Sequence, residues 1–206
     1  MKVYKVQQKT NEWHELRQGK ITGTVLKNIL GTSTTRDSAF YNLLAERLST
    51  EAVNDESAME RGVRMEDEAI EMYEKEFGVV VERVGLTERD DCKWIASSPD
   101  GLISIDGRYI GAIEVKCLSS ANHIKAYVEQ EIPKEYKAQG LQYFCVNDDL
   151  EYLYFVFYDD RISLIPLHTI RMTRVGREKD IEEALTEQRK TIKRVEQTLK
   201  KIILKR

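Results

Sequence analysis

Apolar residues recur along the chain at two different spacings, and the change of spacing divides it. Over the first fifty residues they step by three and four in short pieces, which predicts helices over 12–17, 24–30 and 38–48. Ser57-Ala58-Met59-Glu60 has the Ser-x-x-Glu form of a capping box, and it predicts a longer helix from Ser57 to Phe77 with Gly78 as its stop. The period then shortens to two. Runs rich in β-branched and aromatic residues at 79–84, 94–97, 102–105 and 109–118 predict strands, and Asp106-Gly107 between the last two is a two-residue hairpin signal. Helices are expected at 122–130 and from Pro133 to Val146, then a strand at 152–158 with a hairpin partner at 162–168. From Glu178 to Lys205 the apolar positions Ile181, Leu185, Ile192, Val195, Leu199 and Ile202 mark one amphipathic helix, interrupted by Gln188. Helices, then a strand meander, then helix and strand again make this an α/β (α+β) fold with a mixed sheet.

Composition narrows the class. At 206 residues, with 41% hydrophobic and 33% charged side chains, the chain is long enough for a full core and is not of disordered type. No apolar run reaches membrane-spanning length, and the N-terminal residues lack a secretory pattern, so a cytoplasmic protein without a membrane partner is expected. Cys92, Cys117 and Cys145 have no paired spacing and read as reduced thiols. The net charge of −3 is unevenly spread: from residue 171 onward twelve basic residues face six acidic ones. An acidic body with a basic end suits a carboxylate-lined metal site beside a phosphate-binding surface, although a solvated terminal helix accounts for the tail equally well.

The candidate chemistry lies around the hairpin. On a strand over 109–118, Glu114 and Lys116 project from one face while Ile113, Val115 and Cys117 pack on the other. Asp100, in Ser98-Pro99-Asp100-Gly101, begins the preceding arm, so pairing across Asp106-Gly107 brings it near Glu114. Charges in an apolar strand are costly unless paired. Two carboxylates suit Mg²⁺ or Mn²⁺, with the Val115 carbonyl as a further oxygen ligand. Lys116 could orient a water, share in its deprotonation or stabilise charge on a phosphate. Glu-x-Lys is a weak signal alone, and Glu135-Tyr136-Lys137 repeats it with no chemistry assigned. Downstream, Gln139 and Tyr143 lie four apart on a helix face with Gln142 at its edge, an amide and a phenol able to hold ligands, water or a DNA backbone. Upstream, Glu66 lies mid-helix after Gly62.

Together these residues resemble the PD-(D/E)XK nuclease superfamily, and more narrowly the phage lambda-type alkaline exonucleases, or YqaJ-like viral recombinases. The resemblance rests on Glu12-Trp13-His14-Glu15-Leu16-Arg17 with Ile21-Thr22-Gly23-Thr24, on Gly62 with Glu66, on Ser98-Pro99-Asp100-Gly101-Leu102, on Glu114-Val115-Lys116 and on the Gln-bearing helix. It implies a nuclease core over 11–170 within a single domain, with the helix of 174–206 appended. It implies that Asp100, Glu114, the Val115 carbonyl and Glu66 hold metal, two Mg²⁺ per site with Mn²⁺ as a substitute. Lys116 then serves the nucleophilic water and Gln139 supports the centre, with Gln142, Tyr143 and Trp13 as secondary candidates. Arg17 and Thr24 would hold a DNA 5′-phosphate, a task that suits the planar Arg fork. The implied activity is Mg²⁺-dependent 5′→3′ digestion of one strand of linear duplex DNA, leaving 3′ overhangs. The implied partners are DNA ends, two further copies in a ring trimer, and a single-strand annealing protein, in a phage or prophage setting within the bacterial cytoplasm. Two rival readings stay open: a PD-(D/E)XK endonuclease of restriction or structure-specific type, and a DNA-end-binding protein without turnover.

Overall fold

The computed structural model describes residues 1–48, 59–118, 120–160 and 162–204. The chain begins with β1 (Lys2–Tyr4), then α1 (Asn11–Arg17), α2 (Gly23–Ile29), α3 (Ser33–Leu48) and α4 (Met59–Phe77). The strands β2 (Leu86–Arg89), β3 (Cys92–Ser97), β4 (Gly101–Ile105) and β5 (Arg108–Lys116) follow. Next come α5 (Ser120–Glu129), α6 (Lys134–Val146), β6 (Tyr152–Tyr158), β7 (Leu167–Thr173) and the long α7 (Glu178–Ile203). The expected mixed α/β architecture is therefore present, with its long final helix. The capping box at Ser57 and Ala58 lies outside the described residues, while Gly78 ends α4 at φ 64°, in the left-handed region that glycine enters without strain.

Two sheets form, β1-β2-β3 and β4-β5-β6-β7. In the second, β4 and β5 are antiparallel, β5 and β6 parallel, and β6 and β7 antiparallel. The hairpin β4–β5 turns at Asp106 (φ 50°) and Gly107 (φ 77°), the two successive positive φ angles that Asp-Gly supplies. Its register sets Gly101 against Ile113, which places Asp100 beside the level of Glu114. The central strand β6, Tyr-Leu-Tyr-Phe-Val-Phe-Tyr, is apolar on both sides because both sides are covered. Leu153, Phe155 and Phe157 pack with Ala112 and with Leu141 and Phe144 of α6, while Val156 and Tyr158 pack with Ile113, Val115 and with Ile70 and Tyr73 of α4. A side chain at Gly140 would lie 2.7 Å from Met172 Sδ and 3.0 Å from the Phe155 ring. Glycine at this poor helix position lets α6 lie close on the sheet.

Three expectations need correction. Residues 79–84 are not a strand: Glu82 makes one isolated bridge to Leu102, and Val80 is exposed. The partner of β6 begins at Leu167, since the chain before it closes in turns (Ile162 N to Asp159 O, Ile165 N to Ile162 O) with Leu164 exposed, and Pro166 has no amide to add to a ladder. Cys117 lies beyond the end of β5 and is exposed, not packed under the sheet. Two short strands were not foreseen, β1 and β2, the latter carrying the polar sequence Leu-Thr-Glu-Arg. Gln188 does not interrupt the buried stripe of α7 but belongs to it, fully buried among Ile181, Ala184, Ile192 and Val195.

Candidate active site

Glu114 is 4% exposed, and both its oxygens are engaged. Lys116 Nζ donates to Oε1 at 2.6 Å and Gln139 Nε2 to the same atom, while the Tyr143 hydroxyl donates to Oε2. The geometry follows from two periodicities, one of the strand and one of the helix. Residues 114 and 116 share a face of β5, the face covered by α6, and on α6 residues 139 and 143 lie one turn apart. Tyr136, one turn earlier, sets its ring 4.8 Å from the Lys116 ammonium. Asp100 accepts the Val115 amide at 2.7 Å. That bond fixes the loop carboxylate against the strand that carries Glu114.

The electrostatics are those of an unbalanced acidic cluster. Burial, then the carboxylates of Glu114 and Glu66, push Asp100 well above the ordinary carboxylate range, against the opposing pull of Lys116 and the Val115 amide. Burial pulls Lys116 down, but Glu114 and Asp100 outweigh it and hold the ammonium form above its usual value. Tyr143 is likewise pushed well above its ordinary range, by burial and by Glu114, and stays a donor. Glu66 on α4 completes the group and accepts Lys9 Nζ at 2.9 Å.

Among the described residues no three carboxylate, histidine or cysteine side chains are gathered into a ready metal cage. The donor chemistry nevertheless fits a hard divalent cation. Three carboxylates share one neighbourhood, two of them are each held by a lysine, and the third is pushed toward protonation by burial first and then by the other two. Asp100, Glu114 and Glu66 are the residues that would hold such an ion.

Arg17 borders the same pocket. Its guanidinium donates to Ser98 Oγ at 2.5 Å and to Thr22 Oγ1 at 3.4 Å, and it lies 4.2 Å from the centre of the Trp13 ring. Trp13 is itself anchored through Nε1 to Gly85 O. Ser98 ties this corner to the centre, because its carbonyl accepts the Tyr143 hydroxyl that also reaches Glu114. Burial pulls the Arg17 guanidinium down while Tyr143, Glu114 and Glu46 support its charge. The structure brings Thr22, not Thr24, to Arg17; Thr24 is exposed in the first turn of α2. Gln142 is not brought to the site. It is fully buried and donates to Ile21 O, Ala96 O and Gln188 Oε1. The decoy pair Glu135 and Lys137 is exposed.

Sequence reasoning missed Lys9, Ser98 and Tyr136 as contributors. Ser98 stood immediately before Pro99-Asp100-Gly101 and could have been singled out; Lys9 reaches Glu66 from 57 positions away and carries no pattern.

Residues 12–148 match the YqaJ-like viral recombinase domain, and the chain belongs to that family. Among solved structures, an alkaline exonuclease (LHK-Exo) from Laribacter hongkongensis is 27% identical over 95% of this chain and 97% of that one, with a TM-score of 0.84. The same figures hold for that protein in complex with dAMP. A phage-related exonuclease from Haemophilus somnus 129PT shares the fold at 18% identity and a TM-score of 0.58, over 92% of this chain and 99% of that one. No curated protein matches the chain.

Proposed function

We propose that this chain, a deoxyribonuclease of the exonuclease kind, digests one strand of linear duplex DNA in the 5′→3′ direction with Mg²⁺ and leaves 3′ overhangs for single-strand-annealing recombination. The observation that carries this reading is the set of buried Glu114 with half-buried Asp100 and Lys116, with the Arg17 guanidinium at its edge. A protein that only bound DNA ends would gain nothing from burying two carboxylates against a lysine, a costly arrangement in the absence of a cation.

Arg17, held 4.2 Å from the Trp13 ring centre with its donors toward Ser98 and Thr22, is presented for the two-pronged grip of a terminal phosphate. That grip sets the scissile phosphate one nucleotide inward, over Asp100 and Glu114. A divalent cation on Asp100, Glu114 and Glu66 would supply charge neutralisation and lower the pKa of a bound water. Gln139 and Tyr143 hold the Glu114 carboxylate still from both sides. Lys116, whose charge is supported by Glu114 and Asp100, acts as a fixed cation toward the attacking water and the charge that builds on the phosphate. The similar exonuclease was solved with dAMP, the class of product that such digestion releases.

A ring of three copies, a single-strand annealing partner and action on phage DNA in the host cytoplasm complete the reading. Among the described residues no helix is long and apolar enough to cross a membrane. The test is degradation of linear and covalently closed duplex DNA, with Mg²⁺ and with EDTA. Linear duplex should be consumed from its 5′ ends only with Mg²⁺, and closed circles should survive. Cleavage of circles would replace this reading with an endonuclease.

A further inference from the structure

The ion pair of Lys9 with Glu66 is built in a way that a chance surface pair is not. Lys9 has φ 65°, a left-handed conformation that costs an ordinary side chain about 1 kcal/mol or more. The turn that imposes it is tied down on both sides. Gln8 Nε2 donates to Pro99 O at 2.9 Å, one residue before Asp100, and Thr10 Oγ1 donates to Gln7 O while accepting from Trp13 N. The turn is therefore fastened to the Asp100 loop and to the helix of Arg17. From it the lysine reaches Glu66 Oε2 at 2.9 Å, with the two side chains 26% and 19% exposed. Lys9, Glu66 and Asp100 line one cleft of about 320 Å³, together with Arg83, which is occupied by Asp67.

We propose that Lys9 is a tethered counter-ion: its ammonium holds the Glu66 carboxylate in the place of a divalent cation and must be displaced before that carboxylate can join Asp100 and Glu114 in metal binding. The inference rests on the metal-dependent reading above. Its logic is competition. Glu114 has a lysine partner on its own strand, which remains beside it, whereas Lys9 comes from a separate turn and can withdraw into the cleft. Lys9 is thus a positioning residue that keeps Glu66 ordered without metal and sets the concentration at which metal enters.

The test is calorimetric titration of Mn²⁺ into the DNA-free protein. Lys9→Asn removes the charge yet keeps a residue that tolerates left-handed backbone, and Lys9→Gly serves if the asparagine variant does not fold. Removing the competitor should tighten Mn²⁺ binding by about two- to fivefold, the scale of a partly exposed ion pair, while Lys9→Arg stays at the wild-type value. In a Glu66→Gln background, Lys9→Asn should change nothing. A merely structural turn would predict the opposite sign, weaker binding, because its loss would loosen the Asp100 loop. Unchanged or weaker binding by Lys9→Asn, or equal tightening by Lys9→Arg, overturns the proposal while leaving the metal-dependent reading standing. A wild-type protein that binds no Mn²⁺ overturns both.

Discussion

Helix α6 faces two buried polar groups of opposite kind. Toward β5 it offers Gln139 and Tyr143 to an ionised carboxylate; toward β3 and α7 it offers Gln142 to two backbone carbonyls and Gln188. The second group is neutral: the Gln142 amide nitrogen has three acceptors around it, while among the described residues Gln142 Oε1 and Gln188 Nε2 meet no hydrogen-bond partner, so its cost is the modest one of uncharged amide atoms. The first contains more negative charge than its lysines offset, and Asp100 bears the cost as a carboxyl pushed toward protonation. A cluster kept only for stability has no reason to hold that excess. The contrast separates the residues that hold the protein together from those kept for chemistry, and it makes opposite demands on mutants of the two sides.

The largest difference is expected at Lys116. Lys116→Ala should lower the rate of digestion by about 10²–10⁴-fold, the usual scale for a positioned proton-transfer or charge-stabilising group, with little loss of thermal stability. The measurement is single-turnover digestion of a labelled linear duplex beside a melting curve. Undiminished digestion would remove Lys116 from the chemistry. Gln142→Ala should behave in reverse. It removes the donor shared by Ile21 O, Ala96 O and Gln188 Oε1 and opens a cavity, costing about 2–4 kcal/mol in a urea titration, while surviving folded enzyme keeps most of its rate. If Gln142→Ala abolished digestion without lowering stability, the two sides of α6 would not divide as described.

The sequence exposed the charged side far better than the neutral one, and the reason is physical. Asp106-Gly107 dictates a two-residue turn, a two-residue turn dictates register, and register carries Asp100 to Glu114. Local rules sufficed for that chain of inference, as they did for the face shared by Gln139 and Tyr143. What they could not reach depended on tertiary placement. The strands β1 and β2 are three and four residues long, and β2 presents Glu88 to Tyr4 and Lys20, so neither alternation nor hydrophobicity marked it. Gln188 looked like a flaw in an apolar stripe because its partner stands 46 positions away. Thr22 rather than Thr24 meets Arg17 because Thr22 precedes α2, where the chain still runs extended (φ −100°, ψ 178°) beside β3. The Glu-x-Lys at 114 was set apart from the one at 135 by the Pro-Asp-Gly turn before it, its apolar flanks and the polar helix face downstream, and the two differ in the fold as well: Glu114 is buried while Glu135 and Lys137 are exposed.

A smaller effect sharpens the boundary of the charged side. Arg17→Ala should slow digestion of 5′-phosphorylated ends about tenfold more than that of 5′-hydroxyl ends, since a charge-assisted bond to phosphate is worth about 1.5–3 kcal/mol. Arg17→Lys should recover little, because a point charge lacks the flat fork that lies against Trp13. Equal losses on both ends would make Arg17 a brace for Ser98 instead of a phosphate clamp.

The smallest effect lies away from α6, in a buried pair between α5 and β7. His168 stacks on Phe157 and meets His123 edge-on, with its Nε2 against His123 O at 3.2 Å. Burial, and then the neighbouring His123, lower His168 to about 4 from an ordinary 6.5. A base whose folded pKa lies below its unfolded value binds its proton more readily when unfolded. The stability it contributes is therefore complete above pH 6.5 and drains away as pH falls toward 4. The urea midpoint of the wild type should decline through that window more steeply than that of His168→Gln, whose amide can keep the bond to His123 O but cannot take up a proton. The carboxylates that titrate over the same range do so in both proteins, so the difference between the two curves isolates the histidine. Parallel curves would mean that this pair, like the Asp100 cluster, tolerates charge where it sits, and the line drawn between neutral and charged interiors would then have to be moved.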